Sequence, residues 1–179
     1  MDATSLPPTL RDIDHTRGPL SAVLLMIIYG NYQCPHCAQA NRTIDKLHKA
    51  LGEQLCYVFR HFPTTDRYPQ SYRTAEAAEA ADAQGQFWKM HDKLFAHQDN
   101  LDDASLVEYA SELGLEIGQF LKELGYHTHA DRIKADIDSA VEHDVTEAPT
   151  FFISVRHQGD KNLETLVKNI LAATLESKS

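Results

Sequence analysis

The chain has 179 residues, 42% hydrophobic and 24% charged, a composition that suits one well-buried globular core and leaves no comfortable room for a second. Its formal net charge of −9 comes without any compensating run of lysine or arginine. That balance argues against nucleic acid or an anionic membrane surface as the main partner. Three cysteines are too few for a disulfide scaffold, and the odd count leaves at least one thiol unpaired.

Residues 1–16 carry two prolines and scattered charge, which predicts an irregular arm with a short edge strand near 11–14. The apolar run 20–29 is preceded by Asp2, Asp12 and Asp14, the wrong charge for a signal peptide, and no small-residue cleavage site follows it. It is too short to span a bilayer as a helix. Residues 23–29 (VLLMIIY) are therefore expected to form a central strand covered on both faces, and the chain is expected to be cytoplasmic.

From Pro35, the residues Ile44, Leu47, His48 and Leu51 recur at helical spacing, and Gly52 ends the pattern. Residues 55–62 (LCYVFRHF) read as a second strand, stopped by Pro63. Strand, helix and strand within some forty residues make a βαβ unit with a right-handed crossover. The following seventy-odd residues are helical in pattern. Ala75, Ala78 and Ala81, then Phe87, Met90 and Leu94, line one face of a segment broken near Gly85. Further stripes follow at Leu106, Tyr109, Ala110 and Leu113, and at Ile117, Phe120, Leu121 and Leu124. Ile133, Ile137, Ala140 and Val141 mark a helix leading back to the sheet. Residues 148–155 (APTFFISV) are a strand opened by a proline, and 163–175 a closing amphipathic helix. The charged outer faces of the helices read as solvated surface.

Cys34 and Cys37 enclose Pro35 and His36 where the first strand meets its helix. This spacing fits a redox pair, half of a zinc site or a structural disulfide. A zinc site needs a second ligand pair, and Cys56, His61, His127, His129 and His143 supply no convincing one, so no metal site is expected. A structural disulfide is out of place in a cytoplasmic chain. Redox chemistry is the favoured reading, with Cys34 at the helix N-terminus, nearer solvent, as nucleophile and Cys37 as resolving thiol. Unpaired N–H groups of the first helical turn can solvate a thiolate there. Pro35 suits the first helical position. A helix-end charge interaction is worth only about 0.3–1 kcal/mol, whereas thiols in such motifs fall to about 3.5–7.5 from about 8.5. His36 and direct N–H···S bonds are left to supply the rest, which makes His36 the residue that sets redox poise.

With CPHC the chain carries FRHFP at 59–63, AAEAADAQGQFWKMHDKLFAHQ at 77–98 and APTFF at 148–152. Together these resemble the DsbA-like branch of the thioredoxin superfamily, over nearly everything from Gly18 onward. The resemblance implies an α/β thioredoxin fold with a helical domain inserted between the βαβ unit and a cis-proline strand. The expected boundaries are an N-terminal arm at 1–16, a thioredoxin-like domain at 17–66 and 140–179, and the insertion at 67–139. It also implies a cis bond at Pro149 beside the cysteine pair, and an Ala148 whose backbone offers N–H and C=O to an extended substrate. The implied activity is thiol–disulfide exchange on protein or small-molecule disulfides, with an unidentified redox partner and no cofactor.

Three positions depart from relatives. Ile28 stands where they commonly have a buried glutamate, Glu147 replaces a glycine two before the proline, and the turn after TFF is expected to contract to Ser154-Val155. The first two favour an alternative, a non-catalytic, redox-sensitive binding module that uses the cleft beside Pro149. Cys56 is expected to be a small buried hydrophobe, Arg60 and His61 structural hydrogen-bonders, Trp88 part of the helical core, and His127 and His129 surface residues.

Overall fold

The structure is a computed structural model that describes residues 7–156. The closing helix expected at 163–175 lies outside the described residues. Among the described residues four strands form one sheet in the order β1-β3-β2-β4, where β1 is His15–Arg17, β2 Leu24–Gly30, β3 Leu55–His61 and β4 Thr150–Val155. The central pair β2 and β3 is parallel, with Ile28 opposite Phe59, while β1 and β4 run antiparallel on either side. Helix α1 (Pro35–Leu51) makes the crossover, and its chain returns through a short 3-10 turn, Gly52–Gln54.

The unbroken apolar run of β2 is explained by two cores, one on each face of the sheet. Leu24, Met26 and Ile28 join Tyr57, Phe59, Cys37, Ile44 and Leu47 on the α1 side. The alternate residues Ile27 and Tyr29 join Cys56, Val58, Ala140 and Val145 on the other. Cys56 is buried without a hydrogen bond and burial pushes its thiol up, as suits a small core hydrophobe.

Between β3 and β4 come five helices: α2 Ser71–Asp82, α3 Phe87–Ala96, α4 Asp103–Glu112, α5 Ile117–Gly125 and α6 Ala130–Glu142. This is the expected helical insertion. Helix α2 is central to it, and there the surface expectation fails. Glu76 and Glu79 are buried along with five alanines of the same helix, because α3, α4, α5 and α6 all pack on α2. Each acid has partners: half-buried Arg73 and exposed His127 for Glu76, and buried His15 and His61 for Glu79. Burial pushes Glu79 up, but the hydrogen bonds from both histidines outweigh it and hold the carboxyl well below the usual range.

The edge strand is 15–17 and not 11–14. Asp14 is drawn inward instead, accepting the backbone N–H of Arg11 at 2.8 Å and the Arg60 guanidinium at 2.7 and 2.9 Å, which folds 11–14 into a turn. Arg60 is wholly buried and also donates to Tyr29 Oη, Ser139 Oγ and the Thr9 carbonyl. Trp88 is half-buried and bridges the insertion to the sheet: its indole N–H donates to the Thr16 carbonyl at 2.9 Å and Arg17 lies over its ring. His127 is exposed and His129 half-buried, paired with Glu123.

Candidate active site

Strand β2 ends at Gly30, where a Cβ would stand 2.4 Å from the Phe59 ring, so only glycine lets the chain leave the sheet at this point. The loop 31–33 that follows is held by side-chain amides. Asn31 Oδ1 accepts the backbone N–H of Gln33, and Asn31 Nδ2 donates to Thr64 Oγ1. Gln33 Oε1 accepts the backbone N–H of Gln70 at 2.8 Å. Gln98 Nε2 donates to two carbonyls, Tyr32 at 2.6 Å and Cys34 at 2.9 Å. These bonds tie the cysteine loop to the turn before α2 and to the end of α3, and fix where α1 begins.

Cys34 is the N-cap of α1, with extended backbone, and Pro35 takes the first helical position. Cys37 lies inside the first turn. Both sulfurs are free thiols and both residues are buried, 2% and 1% exposed, so Cys34 is scarcely the more exposed of the two. What distinguishes it is direction. Cys34 lines an open cleft of about 380 Å³ with His36, Thr64, Arg67, Tyr68, Thr146, Glu147 and Ala148, whereas Cys37 does not. Pro35 and His36 are exposed beside it.

Burial pushes the Cys37 thiol far up, the backbone N–H of Asn31 at 3.4 Å only partly opposes this, and the neighbouring Cys34 adds to it. The N–H···S bond expected at Cys34 is therefore found at Cys37. Among the described residues no carboxylate is hydrogen-bonded to the Cys37 sulfur. Ile28, 2% exposed, belongs to the same apolar cluster, as do Tyr57 and Phe59.

Across the cleft the Ala148–Pro149 peptide is cis, and the Cys34 thiol donates to the Ala148 carbonyl oxygen at 3.6 Å. Pro149 and Ala148 are half-buried and Glu147 is exposed, so an acid does border the cleft. The contracted turn expected at Ser154-Val155 is absent. Strand β4 runs through both residues, paired with Leu25 and Leu24. Arg60 and His61 direct their hydrogen bonds to Asp14, Tyr29, Ser139, Thr9 and Glu79, not to the cysteines.

Sequence reasoning missed a buried polar chain in the same core. Tyr32 Oη meets His91 Nδ1 at 3.1 Å, and His91 Nε2 meets Asn41 Oδ1 at 3.1 Å. Asn41 lies one turn beyond Cys37 on α1. The helical repeat placed His91 one residue after the core position Met90, and nothing in its neighbours marks it as buried. Asn31, Gln33 and Gln98 were missed too, because they act by bonding to backbone and leave no pattern.

Comparison with known proteins agrees with this geometry. The family described as Thioredoxin matches residues 11–172. Among curated relatives, the Na(+)/H(+) antiporter NhaA 3 of Salinispora tropica is 41% identical over 167 residues, covering 93% of this chain and 26% of the relative. The Na(+)/H(+) antiporter NhaA 1 of Mycobacterium sp. strain KMS is 37% identical over 172 residues, covering 94% and 28%. The chain thus spans about a quarter of the length of these relatives. Among solved structures, oxidised BdbD from Bacillus subtilis superposes with a TM-score of 0.76 at 21% identity, covering 100% of both chains. Wolbachia pipientis α-DsbA1 gives 0.71 at 24%, covering 94% of each. The chain belongs to the thioredoxin family, with a DsbA-like fold.

Proposed function

We propose that this chain is a thiol–disulfide oxidoreductase that works through a mixed disulfide at Cys34. The observation that carries the reading is the placement of Cys34 at the N-terminus of α1, facing the cleft and the Ala148 backbone, with Cys37 buried behind it. The Cys34 thiolate attacks one sulfur of a substrate disulfide, forming the mixed disulfide and releasing the other sulfur as a thiolate. Cys37 then loses its proton and attacks Cys34, releasing the second substrate thiol. The substrate gains two electrons and the Cys34–Cys37 pair becomes a disulfide. Run backward, the same steps oxidise a dithiol. The backbone N–H and C=O of Ala148 serve an extended substrate segment, and His36 sets the poise of the couple.

A cytoplasmic location belongs to the same reading. A couple near about −120 mV facing a glutathione pool near about −220 to −260 mV is held over a thousandfold toward the dithiol, at about 30 mV per tenfold. In that setting the chain reduces or isomerises disulfides. The tests are insulin reduction, refolding of a scrambled disulfide protein, and the redox potential of the couple. Inactivity in both assays, with no mixed disulfide trapped on Cys37→Ser, sinks the proposal.

The curated relatives favour one second reading. They are named as antiporters and are about four times as long as the segment matched here. A domain of this kind can act as a redox-sensitive binding module without turnover, and Ile28, in the apolar cluster that holds Cys37, and Glu147, in the cleft, suit that role. It requires partner binding that survives Cys34→Ala, and binding that depends on a covalent bond to Cys34 rules it out.

A further inference from the structure

One cluster of metal-ligating side chains lies outside the cysteine site. His15 on β1, His61 at the end of β3 and Glu79 on α2 bring their donor atoms within 4.8 Å of one another, and all three residues are buried. His15 Nε2 and His61 Nε2 both donate to the same oxygen, Glu79 Oε1, at 2.7 and 2.8 Å. The His15 ring is fixed by stacking on Phe87, with centroids 3.5 Å apart and planes at 11°. Its other nitrogen, Nδ1, stands 3.5 Å from Asp82 Oδ1. A metal-bound histidine commonly hands its second N–H to a carboxylate, and Asp82 stands near enough to take that part with a small approach.

The surrounding charges leave room for a cation. Arg11, Arg60 and Arg132 pair with Asp14, Asp136 and Glu79, and Asp82 lies beside His15, so the cluster has three guanidinium groups and four carboxylates around it. With both histidines neutral, one negative charge remains. Arg132 approaches Glu79 only to 3.9 Å and makes a closer pair, 2.6 Å, with Asp136. An open groove of about 430 Å³, lined by Asp14, His15, Asp82 and Phe87 among others, reaches His15 from solvent, with His61 and Glu79 behind it.

We infer that His15, His61 and Glu79 form a binding site for one transition-metal dication of the zinc class, apart from the cysteine pair. Two imidazoles and a carboxylate suit such ions better than calcium or magnesium, which prefer oxygen alone. Tetrahedral bonds of about 2.0–2.1 Å require ligand atoms about 3.3 Å apart. The two histidine–glutamate contacts therefore open by about half an ångström as the ion replaces the bridging N–H groups, whose protons move to Nδ1 or to solvent. The fourth position is left to water. A bound ion joins β1 to β3 and α2, so its effect is to fasten the N-terminal strand to the body of the fold.

The test uses the full chain carrying Cys34→Ser and Cys37→Ser, which removes the thiolates as competing ligands. Titration with Zn²⁺ by calorimetry is expected to give one ion per chain, with Tm rising as the site fills. Co²⁺ is expected to give ligand-field bands without sulfur charge-transfer absorption. Glu79→Gln is expected to weaken Zn²⁺ binding at least a hundredfold, and Asp82→Asn about tenfold. The inference is overturned by no saturable Zn²⁺ binding below about 1 mM, by sulfur charge transfer in the Co²⁺ spectrum, or by preference for Ca²⁺. Affinity unchanged in Asp82→Asn and in Glu79→Gln also overturns it. Should Glu79→Gln fail to fold, the Co²⁺ spectrum and the half-exposed Asp82 decide the matter.

Discussion

Cys34 and Ala148 are 114 residues apart in sequence, and the Cys34 thiol donates to the Ala148 carbonyl oxygen at 3.6 Å. The contact links the first turn of α1 to the segment that leads into β4 at the edge of the cleft. On the proposed function, an incoming extended substrate would take over the Ala148 backbone and leave the Cys34 sulfur directed at the substrate disulfide.

The two thiols should therefore separate by role. Cys37→Ser should accumulate a mixed disulfide that non-reducing electrophoresis detects, and Cys34→Ser should form none. In Cys34→Ser the remaining Cys37 is still buried, and burial is the main cause of its raised pKa. Each unit of that rise lowers the thiolate fraction about tenfold. Alkylation of Cys37 at pH 8 should then run at least about tenfold slower than that of a small-molecule thiol. Equal rates would show Cys37 to be solvent-facing and the assignment of roles wrong.

Gln98 offers a test of how firmly the cysteine loop is held. Its Nε2 donates to both the Tyr32 and Cys34 carbonyls from the far end of α3. Gln98→Glu replaces that donor with an anion facing two oxygens, and should cost about 1–3 kcal/mol in urea unfolding. Insulin reduction should fall further than in Gln98→Ala, which leaves the carbonyls without a donor but without repulsion. Equal activity of the two variants would mean that the loop does not depend on this clamp.

Much of this site was legible in the sequence because it is local. CPHC follows an apolar strand and begins a helix, and period alone places Cys34 at the N-cap. The fold was legible in outline for a similar reason: β2 is continuously apolar, and its alternate residues fill two separate cores. The failures share a cause. Asp14 was expected in a strand but is captured by Arg60, 46 residues away, and Glu79 was expected at the surface but is buried between His15 and His61. Positions 15, 61 and 79 have no spacing that suggests a ligand set, and only the packing of α2 against the sheet brings them together. Buried polar groups partnered across the fold carry no periodic signal.

Ile28 can be converted to the acid that relatives commonly place there. It is 2% exposed and flanked in the sheet by Phe59 and Phe151. Ile28→Glu buries a carboxyl among apolar side chains on the Cys37 face, which should cost roughly 2–4 kcal/mol by denaturant titration. A carboxylate there can take the Cys37 proton, so resolution of a preformed mixed disulfide should accelerate at pH 7. Stopped-flow release of a labelled peptide measures that step. A loss of stability with no gain in rate would show that proton removal from Cys37 does not limit resolution.

His91 gives the fold an acid sensitivity. It is fully buried, and burial, aided by the positive charge of Arg17, holds its pKa well below the ordinary 6.5. The neutral ring accepts from Tyr32 Oη and donates to Asn41 Oδ1. In the unfolded chain the same histidine binds a proton below about 6.5. The unfolded state therefore holds more protons in the window beneath that value, and stability is lost as pH falls through it, by up to about 1.4 kcal/mol per unit from this residue. Unfolding by urea at pH 7.5, 6.5 and 5.5 should show the decline, and His91→Gln should flatten it. Parallel pH profiles in the two proteins would assign the effect elsewhere.

Arg60 and Asp14 make the most demanding test of the buried polar network. Both side chains are essentially without exposure, and their pair at 2.7 Å anchors the N-terminal turn against β3. Removing Asp14 leaves the buried Arg60 without a counter-ion, and removing Arg60 leaves Asp14 with Arg11 alone, so Arg60→Met and Asp14→Asn should each cost about 3–5 kcal/mol. Arg60 also satisfies Tyr29 Oη, Ser139 Oγ and the Thr9 carbonyl, which predicts the larger loss for its removal. The double variant removes both charges together and should be less destabilised than the sum of the singles by about 1–3 kcal/mol. A double-mutant cycle in urea measures that difference. Additive losses would mean that the two charges are stabilised independently, Asp14 by Arg11 and Arg60 by its neutral partners, and that their own pairing contributes little.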